Sequence, residues 1–467
     1  MLFADPFFLY VFFPICTILY FVSKNGRYRN AVLLLFSLLF YAWGDLKSLP
    51  LLLVAAALNF LLARRIAGKN PAAAKAALVC GILFDLGLLV VFKYAAFLTE
   101  NFNTLTGLSL PVPQIALPLG VSFYTFRLIS YLLDVRWEKT PAEKSFSRFL
   151  LYVSLFPCTV AGPVVRYADV SEELRIRQIA VEDLYAGVSR IAVGLGKKVI
   201  LADLLSGITA EIFGGEIASL SVLGCWYGAA VYALQMYFDF SGYSDMAIGI
   251  ARVFGFSFPE NFNYPFVCKT IAEFWQRWHI TLGAFFRDYL LYVPIFGSPR
   301  KYLGLFLVWF STGLWHGAAW NFVIWGLYFG LFILLENLIG KKRIKKIPLP
   351  VRHLYTKLVI TVGFGIFYFT DPARLGAFLS GLFGGNGNPF FGGETLLHSL
   401  AGNAFLLAAA ILFSLPVVPQ IKKKLEETPA GLVVSGVLST ASSVALLVVS
   451  TVLMITAESH PFLYANF

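Results

Sequence analysis

Apolar runs of about 20 residues recur from one end of the chain to the other, separated by short polar loops. A helix needs about 20 apolar residues to cross roughly 30 Å of hydrocarbon, and about ten to twelve runs meet that requirement. The pattern predicts an all-α polytopic integral membrane protein with about eleven spans, accompanied by re-entrant or interfacial helices. No large soluble domain is expected.

The distribution of lysine and arginine predicts how these spans are oriented. Basic residues follow the first and third apolar runs, whereas the loops around Asp45 and at 100–114 are poor in positive charge. Because basic loops remain in the cytoplasm, the chain is expected to start outside. The C-terminal end, with His460 and Phe467, is also expected on the extracytoplasmic side, because it follows the last basic loop by one apolar run. The formal net charge of +11 then reflects topology, and no nucleic-acid partner is predicted.

Composition narrows the class of protein further. Hydrophobic residues make up 58% of the chain and charged residues 13%, and the mean hydropathy is +0.74, which excludes an ordinary soluble domain. The five cysteines show no metal-ligand or redox spacing and are predicted to be small core residues. The sequence contains no G-x-S-x-G elbow of a serine hydrolase and no glycine-rich phosphate loop. It also contains no His/Cys cluster at zinc spacing, so no metal site is predicted.

Three segments carry polar residues or prolines that a lipid-facing helix would exclude. Residues 115–135 include Arg127 and are expected to face protein or a polar cavity. Residues 149–165 contain two prolines, which predict a broken or re-entrant segment. Residues 185–205 suit a helix in the cytoplasmic interface, with a loop and a short span as the alternative. The span at 220–240 is followed by acidic residues in apolar surroundings.

His316 is the residue most clearly suited to catalysis. It follows about a dozen apolar residues and is therefore expected near the middle of the membrane. A neutral imidazole there can accept a proton from a hydroxyl, as acyl transfer to an alcohol requires. The alternative is a core histidine hydrogen-bonded across helices. Trp309, Trp315, Trp320 and Asn321 nearby favour a lined cavity.

A second histidine, His279, lies in a stretch too polar for a lipid-facing span. Glu273 and Arg277 stand at helical i,i+4 spacing, and Arg287 and Asp288 follow about two turns after the histidine. We expect a re-entrant or interfacial helix on the cytoplasmic side, in which an arginine holds a carboxylate or phosphate of an acyl carrier. The alternative is that these charges pair with one another and stabilise the fold. The two histidines are expected at different depths.

Five motifs resemble the membrane-bound O-acyltransferase family, within it the alginate O-acetyltransferase-like bacterial branch. The resemblance covers most of the chain, and the motifs together are specific. They are LPLGVSFYTFRLISYLLDV from Leu117, FPCTVAGPVVRY from Phe156, LQMYFDFSGYSDMAIGIARVFGFSFPENFNYPF from Leu234, EFWQRWHITLGAFFRDYL from Glu273 and TGLWHGAAWNFVIWGLY from Thr312.

The resemblance implies a single membrane domain, a helical bundle around a transmembrane tunnel. Residues 1–100 would form N-terminal helices, 115–340 the catalytic core and 354–467 C-terminal helices. His316 of the WHG motif would be catalytic, with His279 as the second signature position. Residues implied to bind substrate or line the tunnel are Arg277, Trp278, Arg287, Asp288, Trp315, Asn321, Asp239 and Tyr243.

The resemblance also implies partners and a location. No bound cofactor is expected; acetyl-CoA would donate acetyl on the cytoplasmic side of a bacterial inner membrane. The acceptor would be an extracytoplasmic polysaccharide such as alginate, peptidoglycan or another exopolysaccharide, reached through a secreted or anchored transferase. The sequence departs from the branch at Arg127, where a glutamine is expected, and at 293–301, where VPIFGSPRK replaces a glycine-rich turn.

Two other functions stay open at this point. A teichoic-acid D-alanyltransferase is a related enzyme that draws on a carrier-protein thioester. A transporter or channel would use the same buried polar residues to line a permeation path.

Overall fold

The computed structural model describes residues 3–291 and 300–456, which form helices and connecting segments with no β-strand among them. Two compact units are present. Within the described residues, the first unit comprises residues 3–191 and 243–260, and the second comprises 192–242 and 261–456. The predicted single domain, with its three segments, stays a prediction. The motif departure at 293–301 falls mostly on residues outside this description, as do His460 and Phe467.

Nine helices begin in the first unit. They are α1 (Phe13–Phe21), α2 (Gly26–Asp45), α3 (Leu49–Ile66), α4 (Pro71–Leu89), α5 (Ala95–Thr106), α6 (Val121–Arg136), α7 (Phe146–Ser154), α8 (Tyr167–Val170) and α9 (Val181–Gly196). A buried polar pair joins α3 to α4, because Asn59 Nδ2 donates to Asp85 Oδ1 at 2.9 Å. Such a bond holds two apolar helices in one register.

The remaining helices belong wholly or partly to the second unit. They are α10 (Asp203–Phe213), α11 (Val222–Val253), α12 (Ile271–Trp275), α13 (Ile280–Phe286), α14 (Lys301–His316), α15 (Trp320–Ile339), α16 (Lys341–Ile344), α17 (Leu349–Tyr368), α18 (Pro372–Leu382), α19 (Gly393–Gly402), α20 (Ala404–Phe413), α21 (Val417–Leu425) and α22 (Pro429–Thr456). Helices α9 and α11 contribute residues to both units.

Short π and 3-10 segments interrupt the helical order. The π segments are Phe8–Phe12, Val90–Tyr94, Lys197–Ala202 and Arg287–Leu291, and the 3-10 segments are Phe156–Cys158, Ile217–Ser219 and Pro265–Val267. Such irregularities break the regular side-chain spacing of a helix and frequently occur at functional sites.

Four helical stretches among the described residues are long and apolar enough to cross a membrane: Leu49–Ile66, Pro71–Thr106, Trp320–Ile339 and Pro429–Thr456. A fifth crossing results if Leu396–Gly402 and Ala404–Phe413, which meet at a bend of 63°, form one span. The all-helical class is confirmed, while the count of about eleven spans stays a prediction.

The segment at 115–135 differs from a full span at its beginning. Helix α6 begins only at Val121, because Pro118 precedes it and Gly120 has a φ of +67°. A Cβ at Gly120 would lie 2.3 Å from the Thr159 carbonyl oxygen, so this close approach requires glycine. The rest of α6 is buried almost throughout, which confirms that the segment faces protein.

The predicted break at 149–165 is confirmed. Helix α7 ends at Ser154, and a short 3-10 turn with Pro157 follows. The fully buried Arg127 donates to the carbonyl oxygens of Tyr152 and Val153 in the last turn of α7. Those carbonyls have no partner within their own helix, so the guanidinium satisfies them and complements the helix dipole.

One helix is longer than the span predicted for it, and one predicted helix is divided in two. The span expected at 220–240 continues as one helix of 32 residues, α11, through the FSGYSD motif. The stretch around His279 is two short helices, α12 and α13, separated by a left-handed residue. In the second case tertiary packing overrides the local pattern of polar residues, which had suggested one continuous helix.

Candidate active site

His316 ends helix α14 in the second unit. Gly317 is fully extended, and α15 begins three residues later. The two helices pack closely at glycines: a Cβ at Gly313 would lie 2.4 Å from the Phe322 carbonyl oxygen, and one at Gly326 would lie 2.3 Å from that of Trp309. Small residues of this kind let helix backbones approach in a membrane protein. The hairpin thereby defines where the His316 ring lies.

Aromatic rings surround the His316 imidazole. Its centroid lies 4.8 Å from that of Trp325, 5.0 Å from Trp315 and 5.2 Å from Phe367, all in edge-to-face arrangements. The histidine is 2% exposed. Such surroundings solvate a charge poorly, and a neutral imidazole is the form that can act as a base.

His279 lies between α12 and α13 with a φ of +44° and a ψ of +51°. This left-handed conformation is uncommon for residues other than glycine, and it concentrates at functional sites. Main-chain hydrogen bonds hold the turn: Ile280 N donates to Asn261 O at 3.0 Å, and Asn263 N donates to Arg277 O at 2.9 Å. The conformation turns the buried imidazole edge-on to Phe240, with centroids 4.6 Å apart.

The ring of Trp315 contacts both histidines. Its centroid lies 5.8 Å from that of His279 and 5.0 Å from that of His316. The prediction that the two histidines occupy different depths in the membrane stays a prediction. The structure does show that one indole ring contacts both of them. The sequence could not show this, since 37 residues separate the two positions and the chain between them folds back.

Asn261 was not predicted as a site residue, yet it contacts His279 directly. Its Oδ1 lies 3.1 Å from the imidazole Nδ1, and it also accepts hydrogen bonds from the hydroxyl and main-chain N–H of Thr281 at 2.8 and 3.3 Å. The asparagine is fully buried. The one signal in the sequence was its place in the proline- and asparagine-rich segment PENFNYPF.

A second unpredicted residue, Glu336, supports the same region. Its carboxylate accepts hydrogen bonds from the main-chain N–H groups of Ile271 and Ala272, at 2.6 and 2.9 Å. These N–H groups begin helix α12, where no partner exists within the helix. Glu336 thus ties the start of α12 to the end of α15.

The predicted arginines make ion pairs within their own segment. Arg277 Nε donates to Glu273 at 3.2 Å, which confirms the i,i+4 pair. Arg287 Nε donates to Asp288 at 2.7 Å. All four side chains are partly exposed. These pairs are what the fold-stabilising alternative expects, and a role in holding the acyl donor stays a prediction.

Trp278, which precedes His279, and Asn321, five residues after His316, are both buried. Trp278 packs against Phe262 and Phe364, with centroids 5.1 and 5.0 Å apart. Asn321 Nδ2 donates to the carbonyl oxygens of Ile366 and Phe367 at 3.4 and 3.1 Å, near the end of α17. Since Phe367 contacts His316, the contacts of Asn321 hold part of the aromatic surroundings; a direct contact with substrate stays a prediction.

Asp239 belongs to an ion triplet in which it and Lys198 are buried and Asp203 is partly exposed. Lys198 Nζ donates to Asp239 Oδ1 at 2.7 Å and lies 2.8 Å from Asp203 Oδ1. The lysine lies in the π segment that follows α9 and is 2% exposed. The predicted position of residues 185–205 at the cytoplasmic interface stays a prediction. Asp239 also precedes Phe240, which contacts His279. The triplet therefore anchors the part of α11 against which His279 packs.

Tyr243 belongs to the first unit, where its ring stacks on Phe3 with centroids 4.7 Å apart. Its implied role in binding substrate or lining the tunnel stays a prediction. Within residues 3–291 and 300–456, no group of three or more His, Cys, Asp or Glu side chains could hold a metal ion. Four of the five cysteines are buried, as expected, and Cys80 is exposed.

Comparison with known proteins identifies the family. The model of the membrane-bound O-acyltransferase family matches residues 140–373, which include both histidines and Trp315. The chain belongs to that family. It is an O-acyltransferase, and with its long apolar helices it is a multi-pass membrane protein.

Individual relatives agree with this assignment. The chain is 38% identical to the probable alginate O-acetylase of Pseudomonas aeruginosa over 79% of this chain and 72% of that one. It is 35% identical to the peptidoglycan O-acetyltransferase of Helicobacter pylori, over 71% and 69% of the two chains. It is 30% identical to the teichoic acid D-alanyltransferase of Bacillus subtilis, over 53% and 65%.

Proposed function

We propose that this O-acyltransferase takes an acetyl group from acetyl-CoA on the cytoplasmic side of a bacterial inner membrane and passes it across for O-acetylation of an extracytoplasmic polysaccharide. A secreted or anchored transferase would complete the transfer to the polymer. The observation that carries the proposal is the pair of buried histidines bridged by Trp315. The names of two relatives, an alginate O-acetylase and a peptidoglycan O-acetyltransferase, support the acetyl group and the polysaccharide class.

In the proposed reaction His316 is the general base. It takes the proton from the acceptor hydroxyl while the hydroxyl oxygen attacks the acetyl carbonyl carbon of the thioester. The new C–O bond forms, the C–S bond breaks, and the thiolate leaves with the electron pair. The imidazolium then gives its proton to the thiolate, so the products are the acetyl ester and free CoA. His279 assists the transfer near the acetyl donor.

A carrier-protein thioester is the second candidate donor, because the chain is similar to a teichoic acid D-alanyltransferase over about half its length. The match to the two O-acetyltransferases covers 71–79% of the chain, which supports an acetyl group as the group transferred. Vesicles supplied with labelled acetyl-CoA, or with a D-alanyl carrier protein, distinguish the two donors by the label that reaches the acceptor.

The experiment that tests the proposal compares His316→Ala and His279→Ala with His398→Ala, an exposed histidine outside the site. Each is expressed in vesicles with labelled acetyl-CoA, and acetylated product is measured. Loss of a general base is expected to lower the rate of the His316 variant about 10²–10⁴-fold, while the His398 variant keeps the wild-type rate. Unchanged acetylation by folded His316→Ala would contradict the proposal. If the wild type transfers no acetyl group, and the His316→Ala variant still transports a solute across the vesicle membrane, the result would support a transporter instead.

A further inference from the structure

The hydrogen bonds around Asn261 determine which of its side-chain atoms faces His279. The main-chain N–H of Thr281 points to the Oδ1 position at 3.3 Å. A main-chain N–H can only donate, so the atom it meets must be the amide oxygen and not the amide nitrogen. The usual ambiguity between the two ends of an asparagine side chain is thereby removed.

The same oxygen then determines where the proton of His279 resides. An amide oxygen only accepts hydrogen bonds, and His279 Nδ1 lies 3.1 Å from it. The imidazole nitrogen at that position must therefore carry the hydrogen. In the neutral ring the proton-accepting lone pair is then on Nε2.

We infer that Asn261 is a positioning residue, which holds His279 as the Nδ1-protonated tautomer and so presents Nε2 as the nitrogen that exchanges protons during acyl transfer. The inference rests on the proposed function, in which His279 belongs to the reacting site. It adds a residue that acts through His279 without touching the acyl group.

The backbone explains why the asparagine side chain stays in this orientation. The Asn261 carbonyl oxygen accepts from Ile280 N at 3.0 Å, so the main chain of Asn261 is tied to the residue directly after His279. Its Oδ1 also accepts the Thr281 hydroxyl at 2.8 Å. Main chain and side chain of one fully buried residue thus hold both the left-handed backbone of His279 and its ring.

A neutral amide at this place has a chemical consequence that a carboxylate would not have. Asparagine accepts the Nδ1–H without adding charge, and aromatic rings of Phe240 and Trp315 border the imidazole. The neutral imidazole is thus retained for proton exchange. An aspartate in the same position would stabilise the imidazolium, so the Nε2 lone pair would be lost at a higher pH than with asparagine.

The first test measures the tautomer directly in the wild-type protein. The chain is labelled with ¹⁵N-histidine in lipid vesicles, and the His279 signals are assigned by their loss in His279→Gln. The expected spectrum shows a protonated Nδ1 and an unprotonated Nε2. A protonated Nε2 with a bare Nδ1 would overturn the inference. This readout needs no turnover, so it stands even if the proposed acetyl transfer is not found.

The second test compares the pH–rate profiles of Asn261→Asp and Asn263→Asp, in the vesicle assay with labelled acetyl-CoA. Asn263 is exposed and two residues away, so it controls for the added charge. A carboxylate beside Nδ1 is expected to move the acid limb of the Asn261→Asp profile to higher pH by about 1–3 units, with little change for Asn263→Asp. Equal acid limbs in both folded variants and the wild type would overturn the inference.

A third variant covers the case in which Asn261→Asp does not fold. Asn261→Ala removes the acceptor without adding charge, and the ¹⁵N spectrum is expected to show a mixture of tautomers with kcat lowered and KM nearly unchanged. A wild-type tautomer in this variant would contradict the positioning role. If His279→Ala is fully active while the wild-type tautomer is as expected, the proposed role of His279 fails and the tautomer assignment does not.

Discussion

The indole of Trp315 meets the imidazole of His279 edge-on, with ring centroids 5.8 Å apart, and the residue after Trp315 is His316. One side chain therefore sets the spacing of the two histidines. Helix α14 positions the tryptophan and His316 together, whereas His279 comes from the turn between α12 and α13. The relative position of the two histidines therefore depends on how these elements pack.

Trp315→Ala should remove the ring that contacts both histidines and leave a large cavity between them. Loss of a buried tryptophan typically costs about 3–5 kcal/mol of unfolding free energy, and acetyl transfer should fall at least about tenfold because misplaced groups react poorly. Trp315→Phe, which keeps an aromatic ring, should retain more of both. Thermal unfolding in detergent and the vesicle assay measure these effects.

Trp320→Ala is the matched control for that change, because Trp320 is 55% exposed and lies just beyond His316. It should leave both unfolding temperature and acetyl transfer close to wild type. Equal losses in the Trp315 and Trp320 variants would show that the bridging contact has no special importance.

Gly326→Ala should push α15 away from α14. The new methyl group would lie 2.3 Å from the Trp309 carbonyl oxygen, which as a main-chain atom cannot move aside without shifting the helix. Overpacking of this kind typically costs about 1–3 kcal/mol, and displacement of the His316 ring should lower acetyl transfer as well. Thermal unfolding and the vesicle assay both report the change.

Gly376→Ala provides the control for that substitution. It lies in helix α18, and a Cβ there would meet no atom within 4 Å. Alanine is favoured over glycine inside a helix by about 1 kcal/mol, so this variant should be as stable as the wild type or more stable. If Gly376→Ala destabilised the protein as much as Gly326→Ala, the loss of stability would be an effect of replacing any helix glycine and not of the contact between α14 and α15.

Glu143 should make stability depend on pH through the loop between α6 and α7. Burial would raise its pKa, but hydrogen bonds from Arg148, Tyr167 and the Ser145 main chain outweigh that effect and hold the pKa at about 2. Because the folded-state pKa lies below the unfolded value of about 4.3, the stabilisation is complete above that pH and is lost as pH falls toward 2.

The measurement is the difference in unfolding temperature between the wild type and Glu143→Gln. The variant leaves Arg148 without its charged partner, which should cost about 1–3 kcal/mol at pH 7. The difference should shrink as pH is lowered from about 5 toward 3. The same comparison with Glu182→Gln, an exposed glutamate, should show no such trend. A difference that stays constant over this range would contradict the assigned pKa.

Local features of the structure could be predicted where a short stretch of chain contains the whole cause. Prolines around 157 predicted the end of α7, and the charges of Glu273 and Arg277 predicted their i,i+4 pair. Burial of Arg127 followed from the cost of exposing a guanidinium to lipid. The five motifs identified the family, because each combines residue types in an order that packing alone does not require.

The sequence by itself thus determined the helical class, the apolar stretches, the family and the candidate histidines. The tertiary structure decided which residues meet: Asn261 with His279 across 18 positions, Lys198 with Asp239 across 41, and Glu336 with Ile271 across 65. The physical reason is that helical periodicity tells which face of a helix is buried but not which helix covers it. Those contacts depend on close glycine packing and on a left-handed turn at His279, which local preferences disfavour and only the surrounding packing stabilises.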